Sequence, residues 1–368
     1  MATWDRRTPA HLAKQRDAGV RAQVLDAIAP FSPFWRGRFA ELGSPAAAFA
    51  SVAGLQALEA LGERDLCPDG DAAGAAGLVL QVGESGFALH AEGPRLRQAL
   101  RSRLASPGSY RGVVEADTRP TSYVYAGRSV RFPVASTRSD LDLIARAGAR
   151  LWQVLGLSAA DVVVSALPSG PFALQHALSL AALASATPMF APGDDPSLVL
   201  DALAVAPATV LVVPAAGGAE LVLGLADAGA SLASVTTVLI AGAPDRQERD
   251  DLDDAVDSLE EVEAVILAVH VPDGHRLLWG ECRQSAGRGG LHTYPDLEVV
   301  QTVDPSTGAH IEGAGPGELV ITQLGLRGSA LLRWRTGDLA EGVDDTACPA
   351  CARSVPRVIG ARRAAGPS

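Results

Sequence analysis

The chain has 368 residues, 48% of them hydrophobic and 20% charged, so a large packed core is available and global disorder is excluded. Its net charge of −11 excludes a nucleic-acid or anionic-membrane surface as the main partner, because there is no basic field to release counterions. No apolar run reaches the ~20 residues that span a bilayer, and the polar N-terminus MATWDRRTPAHLAKQRDAG lacks a signal-like apolar region, which points to a cytoplasmic protein.

Helical spacing runs over residues 9–30, with Leu12, Val20, Val24, Leu25 and Ile28 on one side and Pro30 as the stop. FSPFWRGRFAELG reads as a tight turn into a second helix, and 51–61 as a third, short one. Within 62–115, GLVLQVGESGFALHAEG fits a hairpin, because its apolar runs flank a Gly-Glu-Ser-Gly turn. Residues 139–156 form a helix whose first-turn N–H groups Asp140 can cap. Strand-like runs at 161–167, 187–191, 209–213, 237–241 and 264–271 then alternate with helical segments at 171–185, 196–205, 219–228 and 246–259. That alternation predicts a parallel sheet covered on both faces. After 275 the texture turns Gly- and Pro-rich, with short strands in LEVVQTVD, GELVITQL and ALLRWRTGD. These predict a small antiparallel β-rich subdomain. The expected division is 1–120 (helical and α+β), 121–280 (α/β sheet), 281–360 (β-rich) and 361–368 (tail).

Two residue counts bear on chemistry. Of 31 basic residues only Lys14 is a lysine, so no lysine-dependent step can occur beyond the N-terminal helix. The four cysteines are too few for a disulfide framework in a chain this long, and Cys348-Pro-Ala-Cys351 is a CxxC knuckle that sets two thiolates on one side of a tight turn. The competing reading is a pair of buried free thiols.

Four segments together resemble the phenylacetate–CoA ligase and coenzyme F390 synthetase branch of the adenylate-forming enzymes. They are SPFWRGRFAELG; LPSGPFALQHALSLAALASATPMFAPGDD with APATVLVVPAAGGAEL; VLIAGAPDRQERDDLDDA; and GLHTYPDLEVVQTVDPSTGAHIEGAGPGELVITQL with LLRWRTGDL and CPACARSVPR. The last is the most specific. The resemblance implies an α/β adenylate-forming large-domain fold, with helix-flanked parallel sheets and a small β-rich subdomain, ending where that family's mobile lid begins. It assigns Asp338 of RTGDL to a ribose and Gly242, Ala243 and Pro244 to an adenine loop. Leu174, His176 and Pro214 fall in its acyl pocket. Cys282 and His292 join Cys348 and Cys351 around a structural Zn²⁺, with no ligand position left open.

The departures from the family lie in the ATP machinery. The phosphate loop falls on TSYVYAGRSVRFPV, which keeps Gly127 and Ser129 and offers Arg128 and Arg131, but lacks a Ser/Thr/Gly-rich run with lysine. Its β-formers predict a strand with a bulge rather than an anion nest. The glutamate for Mg²⁺ is replaced by HVPDGHR, which offers His270, Asp273 and His275 as catalytic candidates. These departures weigh against ATP and Mg²⁺ as cofactors. The expected function is a core that binds a small carboxylate or acyl-adenylate with reduced ATP machinery, either non-adenylating or repurposed within a biosynthetic pathway. Two alternatives stay open: an active AMP-forming carboxylate ligase working without its own lid, and a stabilising partner of an active ligase in a hetero-oligomer. A homodimer is also compatible with the resemblance.

Overall fold

The computed structural model describes residues 4–364, apart from 69, 83–92, 107–111, 113, 116–117, 288–289 and 314. The hairpin expected around Gly-Glu-Ser-Gly lies largely outside the described residues. The chain begins with helix Pro9–Ala22, which Thr8 caps by accepting from the His11 N–H. A π-helical turn, Gln23–Ile28, continues it to Ala29–Phe31, so Pro30 lies inside the helical run instead of ending it. Ser32 then caps helix Pro33–Glu41 by accepting from the Trp35 N–H. The third expected helix is only Val52–Gln56.

Strands β1 (Pro120–Ala126) and β2 (Phe132–Thr137) form an antiparallel hairpin. Helix Arg138–Leu155 follows. Its N-cap is Thr137 rather than Asp140. Asp140 sits three residues on, accepts from the Thr137 N–H in a capping box, and also accepts from the Arg327 and Gly328 N–H groups.

The large sheet has nine strands in the order β13-β14-β9-β8-β7-β6-β5-β3-β4. Strands β3 (Val163–Ser165), β4 (Met189–Phe190), β5 (Val210–Pro214), β6 (Thr237–Ala241) and β7 (Val265–His270) are parallel. Every residue of β6 is buried, as a strand covered on both faces requires. Helices Ala173–Ala184, Pro196–Val205, Gly218–Asp227 and Arg246–Asp257 connect the parallel strands. Beyond β7 the sheet turns antiparallel through β8 (Trp279–Gly280), β9 (Leu291–His292), β14 (Arg357–Ile359) and β13 (Gly342–Asp344).

A second, antiparallel sheet holds β10 (Glu298–Val303), β11 (Gly317–Gln323), β12 (Trp334–Ala340) and β15 (Arg362–Arg363). Residues 281–360 therefore do not form one β-rich unit. Main-chain pairing shares them between the two sheets. One apolar core surrounds the large sheet, and another joins the N-terminal helices, the β1–β2 hairpin and residues 330–334. Among the described residues, no helix is long and apolar enough to cross a membrane.

Candidate functional site

The segments that follow the carboxyl ends of β5, β6 and β7 line two adjoining cavities of about 480 Å³ each. Ligands of open parallel sheets bind at this edge, where successive strand ends leave a crevice between connections. The first cavity has apolar walls from Leu167, Phe172, Leu174, Pro214 and Ala215, and carries Asp245, Glu248, Arg362 and Arg363. The second carries Tyr125, Gly127, Arg128, Arg131, His270, Asp273 and Asp338. Phe172, Leu174, Gly242 and Arg363 line both.

Asp338, on β12, is 1% exposed. One of its oxygens accepts from Arg128 Nη2 at 2.5 Å and the other lies 2.8 Å from His270 Nε2. Burial opposes its charge, but His270, Arg128 and Arg363 outweigh that and hold the carboxyl below its usual range. Asp273 accepts from the Gly127 N–H at 3.0 and 3.1 Å. Burial pushes the Asp273 carboxyl up to about 6, against the Gly127 N–H and Arg128, with Asp338 and Glu63 adding to the rise. The β1–β2 turn itself needs glycine. Gly127 has φ +91°, and a Cβ there would sit 2.0 Å from the Val130 carbonyl oxygen. Of the β-formers expected here, Tyr123, Val124 and Tyr125 lie in β1 and Phe132 in β2, while residues 127–131 turn between them. The tip of this turn directs the Arg128, Ser129 and Val130 N–H groups at the carboxylate of Glu63.

The other sequence candidates divide. Gly242 lines both cavities and Ala243 the first, whereas Pro244 lines neither. Leu174 and Pro214 line the apolar cavity. His176 does not; its neighbour Gln175 does, while Gln175 Oε1 accepts from the buried Ser165 hydroxyl. Burial holds the His176 ring pKa down. Arg131 is exposed at the rim of the second cavity. His275 reaches neither cavity: its ring is sealed inside, 2.6 Å from Glu298 and packed on Trp279. Arg276, which no motif in the sequence marks, donates to Gln323 Oε1 and to the Ala135 and Ser329 carbonyl oxygens, tying β2 to β11 and to the loop after it. Burial pushes its pKa down to about 10.

At the antiparallel end of the large sheet, Cys282, His292, Cys348 and Cys351 come together, all buried, with their ligand atoms within 4.8 Å of one another. Cys282 Sγ lies 3.9 Å from Cys348 Sγ, and Cys351 Sγ lies 3.7 Å from His292 Nε2. Ligands on a tetrahedral zinc with Zn–S of ~2.3 Å stand ~3.8 Å apart, so the set fits that ion. Burial, with Arg353 and Arg357 nearby, pushes the His292 pKa down to about 3, which keeps its ring neutral with a lone pair for a metal. Burial also opposes the Cys348 thiolate, yet the Cys351 and Ala350 N–H groups outweigh it and hold the thiol below its ordinary value.

No family model and no curated protein matches the sequence. Solved structures do match. An open-conformation 2-hydroxyisobutyryl-CoA ligase in complex with 2-HIB-AMP and CoA superposes with a TM-score of 0.72, at 16% identity, over 97% of this chain and 70% of the ligase chain. The fold is that of the adenylate-forming enzymes. The same ligase in its thioesterification state, again with 2-HIB-AMP and CoA, gives 0.71, at 16% identity over 97% and 70%. In its postadenylation state with 2-HIB-AMP it gives 0.72, at 16% identity over 97% and 68%. At this identity the likeness shows the adenylate-forming architecture, without its phenylacetate-ligase branch.

Proposed function

We propose that this chain is a carboxylate- or acyl-adenylate-binding core that does not itself carry out ATP-dependent adenylation. The observation that carries this reading is the bonding of Asp338 to Arg128 and His270 at once. The resemblance gives Asp338 to a ribose and makes Arg128 a candidate for the phosphates. Here the two hold each other, and both Asp338 oxygens are engaged. To engage its phosphate chain, ATP would have to draw Arg128 off Asp338 and break a largely buried, charge-assisted pair, whereas a ligand held in the apolar cavity leaves that pair intact.

The sequence adds support. Gly-Arg-Ser-Val-Arg stands where a lysine-bearing phosphate loop is expected, and the chain's one lysine is Lys14, in the N-terminal helix. Removing a single preorganised charge-stabilising group costs about 10²–10³ in rate, and here the phosphate-loop lysine and the glutamate expected for Mg²⁺ are both replaced. The apolar cavity suits an acyl or aryl group, and Arg362 and Arg363 suit a carboxylate or a single phosphate. Zinc is our assignment for the cysteine cluster: three thiolates and one imidazole leave no open position, so the ion is structural.

ATP–pyrophosphate exchange tests the reading. With MgATP and a panel of aromatic, aliphatic and amino-acid carboxylates, the purified chain is predicted to give no exchange above background. Exchange with any acid would restore an active AMP-forming ligase.

A further inference from the structure

We propose that the Gly127–Arg131 turn is an anion-binding nest that the chain fills with its own Glu63 carboxylate, restricting the cleft to ligands without a polyphosphate chain. The proposal rests on the reading of the cleft as an acyl-adenylate-type site.

The turn links β1 to β2 and lines the second cavity through Gly127, Arg128 and Arg131. Glu63 Oε2 accepts from the Arg128 N–H at 2.8 Å, and Oε1 accepts from the Ser129 N–H at 2.9 Å and from the Val130 N–H. Asp273 takes the Gly127 N–H just before them. Four consecutive backbone donors thus end on two carboxylates that lie 65 and 146 residues away in sequence. Converging N–H groups of this kind are what a phosphate or carboxylate needs for recognition by backbone alone.

Glu63 is 8% exposed, and among the described residues no cationic side chain is paired with it. A buried carboxylate without a counter-ion is costly, so the three N–H groups are what compensates its lost hydration. Its placement is also firm. The Leu61 N–H donates to the Arg333 carbonyl and the Arg335 N–H to the Leu61 carbonyl, which docks the segment before Glu63 onto the start of β12, the strand that carries Asp338. A polyphosphate entering here would have to expel one carboxylate and lie beside Asp273 as well, both of its own sign. A ligand ending at its first phosphate, or before it, avoids both and has Arg363 and the apolar cavity to bind.

Chemical rescue tests this. Glu63→Ala empties the nest, and sodium pyrophosphate or acetate is the probe. The variant is expected to unfold at a lower temperature than the wild type. At tenfold its dissociation constant, the probe should raise the variant's midpoint by about 2 °C while hardly moving the wild type's. Equal shifts in both proteins would overturn the proposal.

Should Glu63→Ala not fold, amide hydrogen exchange on the wild type decides. The Arg128, Ser129 and Val130 N–H groups lie in a turn outside any strand, yet they should be protected, and Glu63→Gln should speed their exchange by about tenfold. Exchange at the rate of an open turn in the wild type would overturn the proposal. The two readings fail separately. Pyrophosphate exchange activity would defeat the non-adenylating reading and the exclusion of polyphosphates, and leave only the occupied nest standing, as a displaceable resting state. A silent exchange assay with unprotected amides would defeat the nest alone.

Discussion

The Asp273 carboxyl lines the second cavity beside His270 and Asp338. In the folded chain it holds its proton up to about pH 6, because burial disfavours its charge. Unfolded, it releases that proton near pH 3.9. The folded state therefore binds more protons between those values. The stability this group contributes is full below about pH 4 and is lost as pH rises through about 6. Asp273→Asn removes the charge but keeps an oxygen for the Gly127 N–H. It should raise stability at pH 7.5 by roughly 2 kcal/mol and leave it unchanged near pH 4. Denaturant unfolding at the two pH values checks this, and a gain independent of pH would contradict it. Single residues were unevenly legible. Asp338 stood out because RTGDL is a compact motif. Glu63 did not, because its meaning lies in three N–H groups far along the chain, and no local pattern encodes such a contact. His275 and His270 look alike in HVPDGHR. Yet His270 closes β7 at the cleft, while His275 turns inward to Glu298.

At the scale of elements, the cysteine cluster fastens parts that are distant in sequence. Cys282 follows β8, His292 lies in β9, and the Cys348–Cys351 knuckle sits between β13 and β14. The N-terminal segment is held to the same place: Asp5 pairs with Arg353, and Trp4 stacks on Tyr294. Zinc there would fix the antiparallel half of the large sheet and the N-terminus at once. Cys348→Ser is predicted to lower bound zinc from about one equivalent to well under half, and the unfolding midpoint by at least about 5 °C. Full zinc content in the variant would remove Cys348 from the ligand set. The parallel strands were legible because each is a short apolar run bounded by turns, and β6 has the bounds expected of it. The antiparallel extension through β8, β9, β13 and β14 was not. These strands are two or three residues long, too short for any period to register.

At the scale of the whole molecule, two cores meet along the cleft. The large sheet supplies the cavity floor from its carboxyl edge, and the second core brings Glu63, the β1–β2 turn and β12 against it. The fold class was legible because alternating strands and helices leave few ways to cover a parallel sheet. What the cleft can bind was legible only in part. The missing lysine is visible in the sequence, whereas the filling of the nest and the engagement of Asp338 appear only once β7, β12 and residues 61–63 are side by side. On this reading the phosphate end of the cleft is already taken by the protein's own charges. Titration calorimetry with AMP and with MgATP tests that claim most directly. MgATP is expected to bind no more tightly than AMP; MgATP binding tenfold or more tightly than AMP would contradict it.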